Sequence, residues 1–321
     1  MRQRTFGRMG WKVGEVGYGT WGMGEWSGSD DAESLASLEL AVSKGVDFFD
    51  TAQSYGGGRS ERLLAPLLAR HRGSVFIATK VPPKNGEWPA RPGVPLREVF
   101  PGAFVRESVD ISSANLGVEA IDLLQLHQWD DDWLAGGELA ETVADLKAKG
   151  AIRAFGLSLN RREPRNGIEA VRAGFVDAVQ VVYNVFDQAA EDELFPACRE
   201  NGVAVIARCP FDEGSLIGNL TLQTTWPEGD WRGRYFNPAN LAQSVARADA
   251  LKPLVPAGMT LADMALRFIL SNPDVSVVIP GMRKPSHVQT NTAASDAGPL
   301  SPELLSELRG HRWERATTKR A

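Results

Sequence analysis

Four residues have the types and spacing of a proton-transfer site: Asp50, Tyr55, Lys80 and His127. Asp50 ends one apolar run and leads through Thr51-Ala52-Gln53-Ser54 to Tyr55; Thr79-Lys80 ends the next run and Leu126-His127 the one after. A phenol stays protonated at neutral pH and can hand its proton to an alkoxide as that charge develops. Its free pKa of about 10 is high for easy transfer, but a neighbouring ammonium favours the phenolate and lowers it, and a carboxylate can hold the ammonium in place. Lys80 and Asp50 fill those parts. A neutral imidazole at His127 would orient the reacting oxygen by a hydrogen bond, worth ~10²–10⁴ in rate. This set suits carbonyl reduction, with a nicotinamide supplying the hydride. Each residue alone has a plainer reading, as a loop cap, an ion-paired lysine or a satisfied core histidine. His71, His287 and His311 fall in helical or turn contexts where that plainer reading stands.

These side chains meet only if successive strand ends share one rim. Short β-branched runs alternate with amphipathic stretches at intervals of about 25–35 residues, the size of a strand-helix unit. Strands are predicted near Val16–Gly19, Asp47–Asp50, Val75–Thr79, Ile121–Leu126, Ile152–Leu157, Ala178–Val182, Val203–Ala207 and Val275–Ile279. Helical patterns cover Asp31–Lys44, Ser60–Arg70, Leu96–Leu116, Leu139–Lys149, Gly167–Ala173, Ala189–Asn201 and Leu261–Leu270. Gly45, Gly150 and Asn201-Gly202 are the stops, and Ser60 is an expected N-cap. Eight such units predict an α/β protein of the (β/α)8 TIM-barrel type, in which reactive groups project from the C-terminal strand ends. A doubly wound sheet is the rival, but its G-x-G-x-x-G after a strand is missing. Gly17-Tyr18-Gly19 runs into Thr20-Trp21-Gly22, and Gly56-Gly57-Gly58 follows Tyr55.

Two segments lie outside the repeat. Arg2–Val13, with Gly7 and Gly10 near its turn, is expected to form an N-terminal β-hairpin plugging the barrel bottom. From Cys209 to about Asn240 the chain is rich in Gly, Pro and Trp without periodicity, as an ordered loop over a site would be. The expectation is one barrel domain over residues 1–321, with a hairpin at 1–13, a cofactor and substrate loop at 209–240, and a charged tail at 314–321 that frays after Trp313.

Composition narrows the partners. A formal charge of −5 over 321 residues, with Lys and Arg scattered among acids, leaves no basic stripe for nucleic acid. Cys198 and Cys209 read as free thiols in a reducing compartment. The start lacks the apolar stretch of a signal peptide, and no apolar run approaches the ~20 residues that span a bilayer, so the expected location is cytoplasmic and off the membrane. No His-x-His or carboxylate set marks a metal site. A Schiff-base aldolase acting through Lys80 would leave the Asp50 and Tyr55 spacing without purpose.

The chain resembles the aldo-keto reductase superfamily through Gly19-Thr20-Trp21, Asp50-Thr51-Ala52 with Tyr55 and Gly56, Thr79-Lys80, and Asp122-Leu123-Leu124-Gln125-Leu126-His127. The resemblance continues through Gly156-Leu157-Ser158-Leu159-Asn160, Val179-Gln180-Val181-Val182-Tyr183-Asn184, and Val278-Ile279-Pro280-Gly281-Met282-Arg283 with Asn291. It implies the same tetrad, Asp50, Tyr55, Lys80 and His127. It also implies a nicotinamide across the barrel mouth, with its carboxamide on Ser158, Asn160 and Gln180, and Thr20 and Trp21 close by. Leu159 separates the serine from the asparagine, where most relatives have the two adjacent. Arg208 stands where many relatives stack an aromatic ring on the nicotinamide, a role a guanidinium can share. The stretch around Pro210, Phe211, Gly214 and Ser215 matches the belt over the cofactor pyrophosphate. Gly281, Met282, Arg283, Lys284, His287, Gln289, Thr290 and Asn291 match the adenosine end. Gly281 replaces a common lysine and His287 a common Arg or Gln, while Arg283 and Lys284 can clasp a 2′-phosphate. The implied cofactor is NADP(H), with NAD(H) as the alternative.

Substrate choice would come from the rim loops Trp21 to Ser29, Val81 to Val94, Gln128 to Trp133 and Thr225 to Tyr235. Their tryptophans, Trp21, Trp88 and Trp129 foremost, together with Trp26, Trp133, Trp226 and Trp231, suggest an apolar or sugar-stacking pocket. The reading is an NAD(P)H-dependent oxidoreductase acting on a small aldehyde or ketone, with Tyr55 as proton donor. The alternative is a nucleotide-binding accessory barrel with little turnover. Oligomeric state does not follow from these letters.

Overall fold

Strand alternation sets the architecture. The computed structural model describes residues 1–24, 27–89, 91, 93–135 and 137–315, so Trp26 and the chain beyond Arg315 lie outside the described residues. Strands β1 (Gln3–Phe6) and β2 (Trp11–Gly14) form an antiparallel hairpin. The next eight are β3 (Tyr18–Gly19), β4 (Phe48–Asp50), β5 (Phe76–Val81), β6 (Ile121–Leu126), β7 (Ile152–Ser158), β8 (Ala178–Val182), β9 (Ala204–Arg208) and β10 (Val277–Val278). They pair in parallel and in sequence order. The ring closes where Gly17 N donates to Val278 O at 2.8 Å, Gly19 N to Pro280 O at 2.9 Å, and Val278 N to Glu15 O at 3.0 Å. The fold is a (β/α)8 barrel.

Side chains alternate between two cores, as a pleated strand requires. Phe48, Ala78, Leu123, Ala154, Ala178, Ala204, Ile206 and Val277 fill the barrel, with Phe6 and Val13 of the hairpin packed beneath them. Phe49, Ile77, Leu124, Phe155, Val179, Val205 and Val278 join the outer core with the helices. Continuing the inward parity by two residues brings Asp50, Lys80, Gln125, Gln180 and Arg208 to the C-terminal rim; on β7 the same parity reaches Ser158. The hairpin docks closely because Gly7 has no side chain: a Cβ there would sit 2.6 Å from both Ala204 N and Gly202 O.

The helices depart from the predicted boundaries where proline or a cap intervenes. Leu96–Leu116 is two helices, Leu96–Val99 and Gly102–Leu116, because Pro101 lacks an N–H and holds Phe100 out of helical geometry. Ala189–Asn201 divides into a 3-10 turn, Ala189–Glu191, and a helix, Leu194–Asn201, with Pro196 in the first turn where its missing donor costs nothing. Ser60 is not an N-cap; the helix Arg59–Arg70 starts after Gly58 at φ 83°, and the Ser60 hydroxyl donates to Thr20 O at 3.0 Å. Helices Pro238–Leu251 and Pro302–Arg309 go beyond the predicted set; each opens on proline after a capping Asn237 or Ser301. No helix among the described residues is long and apolar enough to cross a membrane.

Candidate active site

Parallel pairing of Asp50 with Ala78 on β5, and of Lys80 with Gln125 on β6, sets Asp50, Lys80 and Gln125 side by side on the inner wall. Lys80 is wholly buried; its ammonium bonds the Asp50 carboxylate and donates to Thr51 O at 2.8 Å and to the Tyr55 hydroxyl at 3.4 Å. The other carboxylate oxygen of Asp50 accepts from Gln180 at 2.7 Å and from Gln125 at 3.2 Å. The Tyr55 ring is held edge-on to His127, at 5.7 Å between centroids, and the far side of His127 meets Trp88 at 4.5 Å. Ser54 lies 3.3 Å from His127 Nδ1, enough to orient the ring. The four residues selected from the sequence therefore sit together.

Their protonation follows from burial and neighbours. Burial is the largest influence on the Tyr55 phenol and raises its pKa; the pull of Lys80 in the opposite direction is outweighed, with Asp50 adding to the rise. The expected net lowering by the ammonium is thereby corrected, and Tyr55 is a phenol throughout the neutral range. Burial alone would depress Lys80, but Asp50 and the phenol outweigh it and its pKa is raised, so it stays an ammonium. His127 is driven well below the ordinary histidine value by burial, then by Lys80 and Arg208, and is neutral at pH 7.

The remaining predicted residues divide into those facing the mouth and those turned away. Ser158 and Gln180 lie paired on β7 and β8; the Gln180 NH2 group is spent on Asp50, while its amide oxygen takes no part in that bond. Trp21 is 38% exposed and meets Trp231 at 5.7 Å, so the two indoles flank the opening. Thr20 is sealed: its hydroxyl donates to Asp50 O at 3.0 Å and bolts two strand ends together. Met282 is likewise buried, while its carbonyl accepts from Tyr18 at 2.9 Å. Asn160 turns from the mouth to Trp129 O at 3.0 Å and Glu163 at 2.8 Å. Trp129 is corrected from pocket wall to core; it has no exposed surface, packs on Trp133 and Phe175, and gives its indole N–H to Asp131 at 2.7 Å.

The belt segment carries the strongest departure from regular backbone. Asp212, Glu213 and Gly214 have φ of 44°, 59° and 114° in succession. Arg161 from the β7 loop pairs with Glu213; Arg315 bonds Asp212 at 2.6 Å, and Tyr235 donates to the same carboxylate at 2.9 Å. Ser215 also donates to Asp212, at 2.6 Å. Fraying therefore does not begin at Trp313, because Arg315 is only 3% exposed in this network. Pro210 is buried and Phe211 half-buried, and a Cβ on Gly214 would meet nothing within 4 Å. Sequence reasoning missed Arg161, Arg315 and Tyr235 as partners here, and Gln125 and Ser54 in the tetrad. Strand parity with His127 marks Gln125, whereas nothing in the letters marks the two arginines.

At the far end, Arg283 reaches Ser27 O at 3.2 Å and Gly22 O at 3.5 Å, with no carboxylate partner among the described residues. His287 is lowered by burial, then by Lys284 and Arg283. The helix Pro285–Ala297 has no side-chain cap at its start, Gly281 opens on empty space, and Asn291 is nearly buried behind it.

Known proteins of one family are similar to this chain along nearly its whole length. The sequence model of the Aldo/keto reductase family matches residues 15–312. Aldo-keto reductase YhdN of Bacillus subtilis is 27% identical over 90% of this chain and 87% of its own. The NADH-specific methylglyoxal reductase of Escherichia coli is 29% identical over 92% of this chain and 93% of its own. The holo form of aldo-keto reductase AKR11C1 from Bacillus halodurans superposes with a TM-score of 0.78 at 26% identity, covering 99% of both chains. With the family match spanning all eight barrel strands and the tetrad, the chain belongs to the aldo/keto reductase family.

Proposed function

We propose that the chain reduces a small aldehyde or ketone with NADPH, Tyr55 donating the proton. The observation that carries this reading is the bonded line from Asp50 through Lys80 to the Tyr55 hydroxyl, 3.4 Å from the ammonium, with a neutral His127 beside it. Burial keeps the Tyr55 phenol protonated and neutral, and Lys80 stabilises the phenolate left behind. Asp50, braced by Gln125 and Gln180, holds Lys80 in register, and His127 offers the carbonyl oxygen a hydrogen bond.

The residues present fit a dinucleotide. Open space beside Gly214 and Gly281 allows close backbone approach, and the uncapped helix start with Arg283 and Lys284 is the donor set that phosphate requires. Ser158 and Gln180 would hold the carboxamide, the 210–215 segment would cross the pyrophosphate, and Arg283, His287 and Asn291 would hold the adenosine end. Arg283 and Lys284 favour a 2′-phosphate, and so NADP(H) over NAD(H). A bound reduced nicotinamide supplies the hydride.

Titrating NADPH and NADH by tryptophan fluorescence and following oxidation with nitrobenzaldehyde tests this. Tyr55→Phe should keep nucleotide affinity while kcat falls by about 10²–10⁴. Unchanged turnover would remove Tyr55 from its role. Nucleotide binding without turnover of any carbonyl would move the chain to the accessory-barrel reading.

A further inference from the structure

His127 can occupy its place in several states, and only one of them serves the reaction. The imidazole is neutral at pH 7, so one ring nitrogen carries a proton and the other is bare. A half-turn of the ring about its bond to Cβ exchanges Nδ1 with Cδ2 and Nε2 with Cε1 while keeping nearly the same outline. Moving the proton between the nitrogens keeps the outline as well. Packing is blind to these changes: Tyr55 and Trp88 meet the ring at 5.7 and 4.5 Å between centroids, inclined at 72° and 90°, and a carbon edge would fill the same space as a nitrogen edge. Two ring orientations and two tautomers thus share one packed shape, and only an N–H directed at the carbonyl oxygen can bond it.

Polar contact is what separates these states. The contact of Ser54 Oγ with Nδ1, at 3.3 Å, is the one side-chain hydrogen bond of this ring among the described residues. Nε2 has no protein partner there. Ser54 has no second partner among the described residues, so no carbonyl or carboxylate competes for its proton. Both ends of the contact are set by backbone. Ser54 rides in the turn after β4 that Tyr55 N closes on Ala52 O at 3.0 Å, and His127, just past β6, donates its own N–H to Val81 O at 3.0 Å.

We propose that Ser54 is a positioning residue whose hydroxyl donates to Nδ1 of His127, so that the ring proton stays on Nε2 and faces the carbonyl oxygen. This deepens the reductase reading above and rests on it. In the half-turned ring the hydroxyl would meet a carbon and lose its bond. A serine hydroxyl can also accept from a protonated Nδ1, but the bare Nε2 would then face the lone pairs of the carbonyl oxygen, and the bond assigned to His127 could not form. Ser54 gives no proton to the substrate; that remains the part of Tyr55. One neutral hydrogen bond favours its geometry about three- to tenfold over the alternatives, and kcat scales with the share of rings in the competent state.

The test reads the tautomer directly. The chain has four histidines, so selective 15N-histidine labelling gives a simple spectrum, in which the signals lost in His127→Gln identify this ring. Long-range 1H–15N couplings distinguish a protonated nitrogen from a bare one. Wild type at pH 7 should show Nε2 protonated and Nδ1 bare, both alone and with NADP bound. Ser54→Ala should move both signals toward the average of the two tautomers and lower kcat with nitrobenzaldehyde about three- to tenfold, while KM and NADPH affinity stay within about twofold. Ser54→Thr restores the hydroxyl and should recover spectrum and kcat together. A wild-type ring protonated at Nδ1 overturns the proposal, as does either readout left unchanged in Ser54→Ala. A kcat that falls equally in Ser54→Ala and Ser54→Thr also overturns it and assigns Ser54 to packing alone. The wild-type spectrum needs neither a variant nor turnover, so misfolding of Ser54→Ala cannot hide the answer. No turnover of any carbonyl by the wild type rejects the reductase reading instead.

Discussion

The tetrad and the strap over residues 209–217 are held by different forces. Asp50 and Lys80 are placed by parallel strand ladders, and their side chains lie where period-two alternation leaves them. The strap has no ladder. Three successive left-handed residues are kept in place by arginines from elsewhere, Arg161 on Glu213 and Arg315 on Asp212. Backbone in that region costs of order 1–3 kcal/mol per non-glycine residue and persists only where surroundings over-determine it. The four residues rest on backbone geometry and the 209–217 segment on charge, so damage to one should leave the other measurable.

Asp50→Asn should produce the larger break. It leaves Lys80, wholly buried, without its counter-charge, a change that typically costs 3–5 kcal/mol. Thermal unfolding should fall by several degrees and turnover should drop at least ~10²-fold, because the ammonium loses both its charge preference and its position. A variant with wild-type kcat would show that Gln125, Gln180 and Thr51 hold Lys80 unaided.

At the strap, Arg315→Met should leave the tetrad intact and act on retention of the nucleotide. Asp212, with no exposed surface, would keep only Tyr235 and Ser215. We expect NADPH to dissociate about tenfold faster in stopped-flow fluorescence, a loss of about 1.4 kcal/mol. Adding Asp212→Asn removes the stranded charge and should restore part of that loss, since the two residues share one interaction. Additive effects in the double variant would mean that Arg315 and Asp212 act separately.

This division also explains what could be read in advance. The barrel and tetrad were legible because alternation and strand-end position are local properties, and Gln125 lies on the same parity as His127. The strap network was not, because Arg161 and Arg315 are ordinary surface-type residues until the fold brings them to Asp212 and Glu213. Trp129 was misplaced for a related reason. A loop position at the rim does not say which way an indole turns, and here Asn160 and Asn166 both donate to its carbonyl and Asp131 takes its N–H. Helix ends were displaced wherever proline or a glycine ahead of the first turn overrode amphipathic spacing, as at Pro101 and Gly58.

The opposite face of the barrel sharpens the comparison with the smallest expected effect. Asp177, at the start of β8, accepts from Lys147 at 2.6 Å, from Phe155 N at 2.9 Å and from Arg8 of the hairpin at 3.0 Å. Burial pushes its pKa up, but Lys147, the Phe155 amide and Arg8 together outweigh it, and the net shift is downward. A carboxylate lowered by folding adds stability that is present above its unfolded pKa of about 3.9 and is lost as pH falls through the folded value. Asp177→Asn should therefore cost about 1–3 kcal/mol at pH 7, with the gap to wild type shrinking as pH falls below about 4. A part in stability without a role in chemistry is what this face of such a barrel leads one to expect, so kcat should stay at its wild-type value. Urea unfolding at pH 7 and at pH 3.5 measures the first claim and steady-state kinetics the second; a gap that widens in acid would show that Asp177 is held by something other than its charge.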